Sequence, residues 1–278
     1  MRFTKMHGCG NDYILVDGFE EEVADPARTA RTVSDRHLGI GGDGLVLILP
    51  ARAADLRMRM FNPDGSEAEM CGNAIRCVAK YAYEHHLARR TELEIDTLAG
   101  VKHLDLTVED GRVVRVRVNM GEPLLDRSQI PMEGPRGRVL AEPLDVDGRM
   151  FQITCVSMGN PHTIVRIDQD PETYPVAEHG PAIETHPRFP ARTNVEFVHV
   201  VSSGEIRSRT WERGAGETLA CGTGASATAV ACAMNGWTDR SVLVHLRGGD
   251  LQVEWAADNS VYLTGPAVEV FRGEIDPD

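Results

Sequence analysis

Two cysteines in this chain sit in matching surroundings, 150 residues apart. Cys71 ends the run Glu67-Ala68-Glu69-Met70 and is followed by Gly72-Asn73. Cys221 ends Glu217-Thr218-Leu219-Ala220 and is followed by Gly222-Thr223-Gly224. In each run a glutamate lies four residues before the cysteine, a glycine follows it, and a helical pattern then begins. A cysteine at a helix start faces unpaired backbone N–H groups and the positive end of the helix dipole, so its thiol ionises more readily. A thiolate can act as a base near neutral pH and a thiol as an acid. One of each, on opposite sides of a planar carbanion, is what inversion of an amino-acid α-carbon requires. The N–H groups at the same helix starts would hold the α-carboxylate and spread the charge that develops on it. Such chemistry needs no pyridoxal cofactor, so none is expected. Repetition of the segment points to a duplicated chain with one cysteine per half.

The remaining cysteines read differently. Cys77, Cys155 and Cys232 lie in apolar stretches and are expected to be core residues. Cys9, in Gly8-Cys9-Gly10-Asn11, is also taken as structural. No pair has Cys-x2-Cys or Cys-x4-Cys spacing, so no metal site is expected. The run Gly39-Ile40-Gly41-Gly42-Asp43-Gly44 imitates a dinucleotide loop, but Leu45–Leu49 after it reads as strand instead of helix, which excludes a nucleotide site.

The elements that must position these residues are mostly strands. Val114, Val116 and Val118 alternate with Arg115 and Arg117 after the turn signal Asp110-Gly111. Leu243, Leu251, Val253, Tyr262 and Leu263 belong to similar short runs. Helical spacing predicts helices over Pro26–Arg36, Gly72–Tyr83 and Gly222–Met234, the last stopped by Asn235-Gly236. That third helix is small and apolar on nearly every side, as expected of a helix enclosed by a curled sheet. The segment 121–138, with Pro123, Pro131 and Pro135, reads as a crossing between domains.

Composition narrows the class. A chain of 278 residues suits two domains of ordinary size, and 42% hydrophobic content supplies their cores. The formal net charge of −13 argues against nucleic acid or an anionic membrane as partner. No apolar run is long enough to span a bilayer, and the N-terminus opens on strand-like sequence without a signal-peptide apolar region. A cytoplasmic enzyme with reduced thiols is expected.

Taken in order, the motifs resemble the diaminopimelate epimerase family over essentially the whole length. They are Met6-His7-Gly8-Cys9-Gly10-Asn11-Asp12-Tyr13, Gly39 to Gly44, Asn62-Pro63-Asp64-Gly65-Ser66, Glu69-Met70-Cys71-Gly72-Asn73, Met158-Gly159-Asn160-Pro161-His162, Thr193-Asn194-Val195, and Glu212-Arg213-Gly214-Ala215-Gly216-Glu217-Thr218 through Cys221-Gly222-Thr223-Gly224. The resemblance implies an α/β (α+β) fold of two pseudo-symmetric domains, each a curled, mostly antiparallel sheet around a central helix. The N-terminal domain is expected over 1–122 with a returning strand over 266–278, and the C-terminal domain over 123–265. The implied activity interconverts LL- and meso-diaminopimelate, a step of lysine and peptidoglycan-precursor synthesis, in a homodimer with Phe271 at the subunit contact.

By the same resemblance Cys71 and Cys221 are the acid/base pair. Gly72, Asn73, Gly222 and Thr223 bind the α-carboxylate, and Asn11, Asn62, Asn160, Asn194, Glu212 and Arg213 recognise the rest of the substrate. Arg213 suits the distal carboxylate, while amide oxygens and Glu212 suit ammonium groups. His162 and Glu212 are expected to tune the thiols. This chain departs from the pattern at Gly44, where some members carry glutamine, and at Ala74, where glycine is common. Competing readings are a proline racemase-like or hydroxyproline epimerase-like isomerase of the same fold, and a redox-sensing protein that uses Cys71 and Cys221 as a switch.

Overall fold

A computed structural model describes residues 1–276. The chain divides into two compact units, one of Met1–Asn119 with Thr264–Asp278 and one of Met120–Leu263.

In the first unit, β1 (Arg2–Gly8) and β2 (Asn11–Asp17) form an antiparallel hairpin, and helix α1 (Pro26–Ser34) crosses to β3 (Gly44–Leu49), which runs parallel to β2. Antiparallel β4 (Leu56–Phe61) follows, then the short β5 (Glu67–Ala68) and helix α2 (Gly72–Glu84). Next, β6 (Glu92–Thr97) returns parallel to β4 and continues antiparallel through β7 (Gly100–Glu109) and β8 (Arg112–Gly121). β2 is buried on both faces, as parallel neighbours usually are. Its Ile14 and Val16 join Ala30 and Val33 of α1 in one cluster, while Tyr13 and Leu15 lie on the other side of the pleat. That side faces α2, which packs on β1, β2, β4 and β7.

The second unit repeats this order. β9 (Glu142–Val146) precedes the hairpin of β10 (Arg149–Ser157) and β11 (Pro161–Arg166). Helix α3 (Val176–Glu184) crosses to β12 (Asn194–Ser202), parallel to β11. Antiparallel β13 (Glu205–Glu212), short β14 (Gly216–Thr218) and helix α4 (Gly222–Met234) follow. β15 (Ser241–Leu246) then runs parallel to β13, and β16 (Gly249–Trp255) and β17 (Val261–Gly265) come after it. Strands from well-separated places in the order, β10, β11, β12, β15 and β16, all pack on α4, so the sheet curls around that helix. Ten of the 13 residues of α4 are buried, and only side chains as small as its alanines allow strands to close in on so many sides. After Asn235, Gly236 takes φ +69° and its N–H bonds to Ala233 O, ending the helix where the Asn-Gly signal placed it. Finally β18 (Val268–Glu274) pairs antiparallel with β1 in the first unit, as β9 does with β10 in the second. The two halves are thus the same α/β plan written twice.

Four local expectations need correction. Helix α1 stops at Ser34, because the Asp35 carboxylate accepts the N–H groups of His37 and Leu38 and turns the chain. Helix α3 was not anticipated; Gly180 and Pro181 break its helical signature, yet Val176 and Ile183 bury into the second unit's core. The register of β8 slips opposite Thr107/Val108 of β7, which pair with Arg115 and Val113 and skip Val114, so Val113 takes the buried place and Val114 points outward. The segment 121–138 is also no free crossing, since Ile130 and Met132 enter the second unit's core and Arg127 is buried with them.

Candidate active site

In both units the cysteine of interest is the N-cap of the enclosed helix, Cys71 for α2 and Cys221 for α4. Each has extended backbone, with φ −139° and −119°, and its carbonyl accepts the first helical bond at 2.9 Å. The N–H groups of Gly72-Asn73 and of Gly222-Thr223 therefore open their helices, at the positive end of each helix dipole. The glutamate four residues earlier has a shared structural task. Glu67 of β5 takes a two-point ion pair from Arg59 of β4 (2.7 and 2.8 Å), and Glu217 of β14 takes one from Arg209 of β13 (2.6 and 2.9 Å). These forks pin the short strand that leads into each cysteine.

In the first unit, Gly8 of β1 lets the sheet approach the start of α2. A Cβ there would lie 2.9 Å from both Asn73 O and the Arg76 guanidinium. Fully buried Arg76 donates to Gly72 O at 2.8 Å and to Pro266 O at 3.1 Å, which ties the first turn of α2 to the returning segment. Asn11 begins β2 opposite Gly8, after a tight turn through Cys9 (φ +53°) and Gly10 (φ +85°). Asn62 directly follows β4, and its amide donates to Ser66 Oγ at 3.0 Å. The Tyr13 hydroxyl lies 3.2 Å from Cys71 Sγ. Tyr13 pairs in register with Gly44, so the place beside it on β3 carries no side chain. A Cβ on Gly44 would come 2.6 Å from Phe61 O, so a larger residue there requires a backbone shift.

The second unit surrounds its cysteine differently. Cys221 is 6% exposed, and its Sγ accepts the Gly224 N–H at 3.3 Å and lies 3.4 Å from Thr223 Oγ1. Burial pushes this thiol well above its ordinary value, and the charges of Glu212 and Glu196 push it the same way. Glu212 itself is raised by burial, against the hydrogen bond it accepts from Thr218. Fully buried His162 sits between Glu196 Oε1 (Nδ1, 2.7 Å) and Asn160 Oδ1 (Nε2, 3.0 Å). Asn160 in turn donates to Thr223 Oγ1 at 3.2 Å. Asn194 donates to Pro161 O and accepts the Arg213 N–H at 2.8 Å, while the Arg213 side chain reaches Ala191 O from an exposed position.

The fold thus gathers Asn11, Asn62, Cys71, Gly72 and Asn73 within one unit and Asn160, His162, Asn194, Glu212, Arg213, Cys221, Gly222 and Thr223 within the other. Two participants carried no role in the sequence reading. Tyr13 closes the first motif and Glu196 stands two residues after Asn194, so both lay within reach of it. No disulfide joins any of the six cysteines, and burial lifts Cys77, Cys155 and Cys232 to about 12. Among the described residues no group of three or more His, Cys, Asp or Glu could hold a metal ion, and no helix is long and apolar enough to cross a membrane.

The family model for diaminopimelate epimerase matches residues 3–125 and 154–270. A diaminopimelate epimerase from Pelotomaculum thermopropionicum is 59% identical over 276 residues, covering 99% of this chain and 98% of that protein. One from Acetivibrio thermocellus is 54% identical over 277 residues, covering 99% of each. Among solved structures, a probable proline racemase from Agrobacterium radiobacter superposes with a TM-score of 0.74 and covers 100% of this chain and 93% of its own, but at 17% identity it speaks for the fold alone. With one family's model matched across both units and full-length relatives more than half identical, this chain belongs to the diaminopimelate epimerase family of isomerases.

Proposed function

We propose that the protein interconverts LL- and meso-2,6-diaminopimelate without a cofactor, using Cys71 and Cys221 as the acid/base pair. The observation that carries this reading is the duplicated placement of a cysteine at the N-cap of an enclosed helix. In the forward step one thiolate takes the α-proton and the bonding pair stays on the carbon, delocalised into the α-carboxylate. The other thiol delivers its proton to the opposite face. The two sulfurs exchange protonation states with each turnover, and the reverse reaction uses them in the opposite order. Helix-start N–H groups of Gly72, Asn73, Gly222 and Thr223 stabilise the charge on the carboxylate. Burial and the nearby carboxylates favour the protonated form of Cys221.

Asn11, Asn62, Asn160, Asn194 and Glu212 recognise the ammonium groups and Arg213 the distal carboxylate, while His162 and Glu212 tune the thiols. The domain limits 1–122 with 266–278, and 123–265, the cytoplasmic setting, the place in lysine and peptidoglycan-precursor synthesis, and a homodimer belong to the same reading. Exposed Val268, Val270 and Phe271 on β18 support a contact with a second copy.

The test is incubation with LL-diaminopimelate in deuterated buffer, followed by NMR. Loss of the α-proton signal and appearance of the meso isomer without added cofactor are expected. Proline should remain unexchanged. Exchange of proline instead would identify a racemase of the other substrate class, and no exchange with either would favour a thiol switch.

A further inference from the structure

We propose that Tyr13 is a positioning residue for the reaction, its hydroxyl donating a hydrogen bond to Cys71 Sγ whenever that sulfur is a thiolate. The proposal rests on the acid/base role given to Cys71 above. Its first support is geometry. Tyr13 is 1% exposed, its Oη lies 3.2 Å from Sγ, and it is fixed in the middle of β2 between antiparallel β1 and parallel β3. Such a short O–H···S contact favours the charged form of the acceptor.

The second support is the contrast between the halves. Cys221 Sγ is served by its own helix, through the Gly224 N–H and the Thr223 hydroxyl. Cys71 makes no such side-chain cap bond to α2. In the parallel strand pairs Tyr13 stands opposite Gly44 as His162 stands opposite Asn194, so Tyr13 and His162 occupy equivalent places. His162 is committed to Glu196 and Asn160, whereas Tyr13 turns its polar atom to the cysteine. The first half therefore supplies from the sheet the donor that the second half supplies from the helix.

The donor direction follows from the surroundings. Burial, then the charge of Cys71 and the hydrogen bond to it, push the tyrosine well above its ordinary value, with Cys77 and Asp43 acting the same way. Arg76, Cys9 and Lys80 also surround neighbouring Cys77, where the charges of Arg76 and Lys80 oppose burial and that of Cys9 adds to it. The phenol therefore keeps its proton and gives the hydrogen bond, and the proton abstracted from substrate stays on sulfur.

The experiment follows iodoacetamide alkylation of Cys71 against pH by peptide mapping of the full-length protein, with Cys221 as internal reference. A hydrogen bond to a charged acceptor is worth enough to move a thiol by about one pH unit. Tyr13→Phe should raise the Cys71 midpoint by that amount and slow alkylation below it about tenfold, with Cys221 unchanged. Placing 3-fluorotyrosine at position 13, a stronger donor of nearly the same shape, should lower the midpoint, and this variant decides the matter if Tyr13→Phe does not fold. An unmoved Cys71 midpoint in the folded variants would overturn the proposal. Because alkylation requires no turnover, that outcome would leave the two-thiol reading to be judged separately, by the activity of Cys71→Ala.

Discussion

The two thiols are alike in backbone and unlike in chemistry. Cys221 is buried among carboxylates and held protonated, and Cys71 faces a phenol. The pairing of Cys-Gly with a helix start was legible in the sequence because it depends only on local order. Tyr13 and Glu196 stand in or beside the motifs, but their partners were not legible there, since each acts on a residue tens of positions away along the chain. The buried cysteines were equally legible from their apolar neighbours, and Cys77→Ala should retain most of the activity; a large loss of kcat with an intact fold would give Cys77 a role it is denied here. Arg213 should be more demanding than its charge suggests. Its backbone is fixed by Asn194 while its guanidinium is exposed, and lysine cannot reproduce a planar two-point grip on a carboxylate. Arg213→Lys is expected to lower kcat/KM for diaminopimelate by about 10- to 100-fold, on the scale of a lost charged hydrogen bond. Unaltered steady-state kinetics would assign the distal carboxylate to another residue.

Among the elements, those that bear on the site were read from periodicity and stop signals, and the misses have physical causes. Helix α3 occupies in the second half the place that α1 occupies in the first, so the duplication itself predicted a helix between β11 and β12. Gly180 and the internal Pro181 weaken its local signal, and the helix forms with Val176 and Ile183 buried in the second unit's core. The outward turn of Val114 was illegible because a bulge reverses the pleat without changing residue types. Close approach at Gly8 gives an element-scale prediction. Gly8→Ala places a methyl against the backbone of Asn73 and against Arg76. Overpacking of that kind costs about 1–3 kcal/mol and should displace the start of α2. Denaturant melts should show reduced stability together with reduced turnover, and a variant as stable and active as the parent would mean that the helix start has slack.

At the level of the whole molecule, acid should be the sensitive direction. Asp12 is buried enough to be pushed up, but hydrogen bonds and charge from Arg36 and Lys5 outweigh burial and bring it from 3.8 to about 2. Arg59 depresses Glu67, and Arg209 depresses Glu217 against the opposing effect of burial. Carboxylates lowered in the folded state stabilise it above their unfolded values and lose that contribution as pH falls through the folded ones. Stability should therefore decline from about pH 4 toward pH 2. Asp12→Asn should cost about 2 kcal/mol at neutral pH, with the difference shrinking as pH falls toward 2 and gone below it; a constant deficit across that range would show that packing, and not charge, is what Asp12 supplies. In the proposed dimer, the exposed apolar residues Val268, Val270 and Phe271 of β18 are the expected contact. Sedimentation should give about twice the mass of one chain, and Phe271→Glu should shift it toward monomer; a parent protein that sediments as a monomer would remove the proposal.

The central claim is that two thiols share one carbon. It is tested most directly by measuring interconversion of LL- and meso-diaminopimelate, in both directions, by Cys71→Ala and Cys221→Ala with circular dichroism confirming their fold. Loss of a positioned acid or base typically costs about 10²- to 10⁴-fold, and each variant should lose at least that in both directions, because every turnover uses both sulfurs. Either variant turning over within about tenfold of the parent, in either direction, would contradict the account.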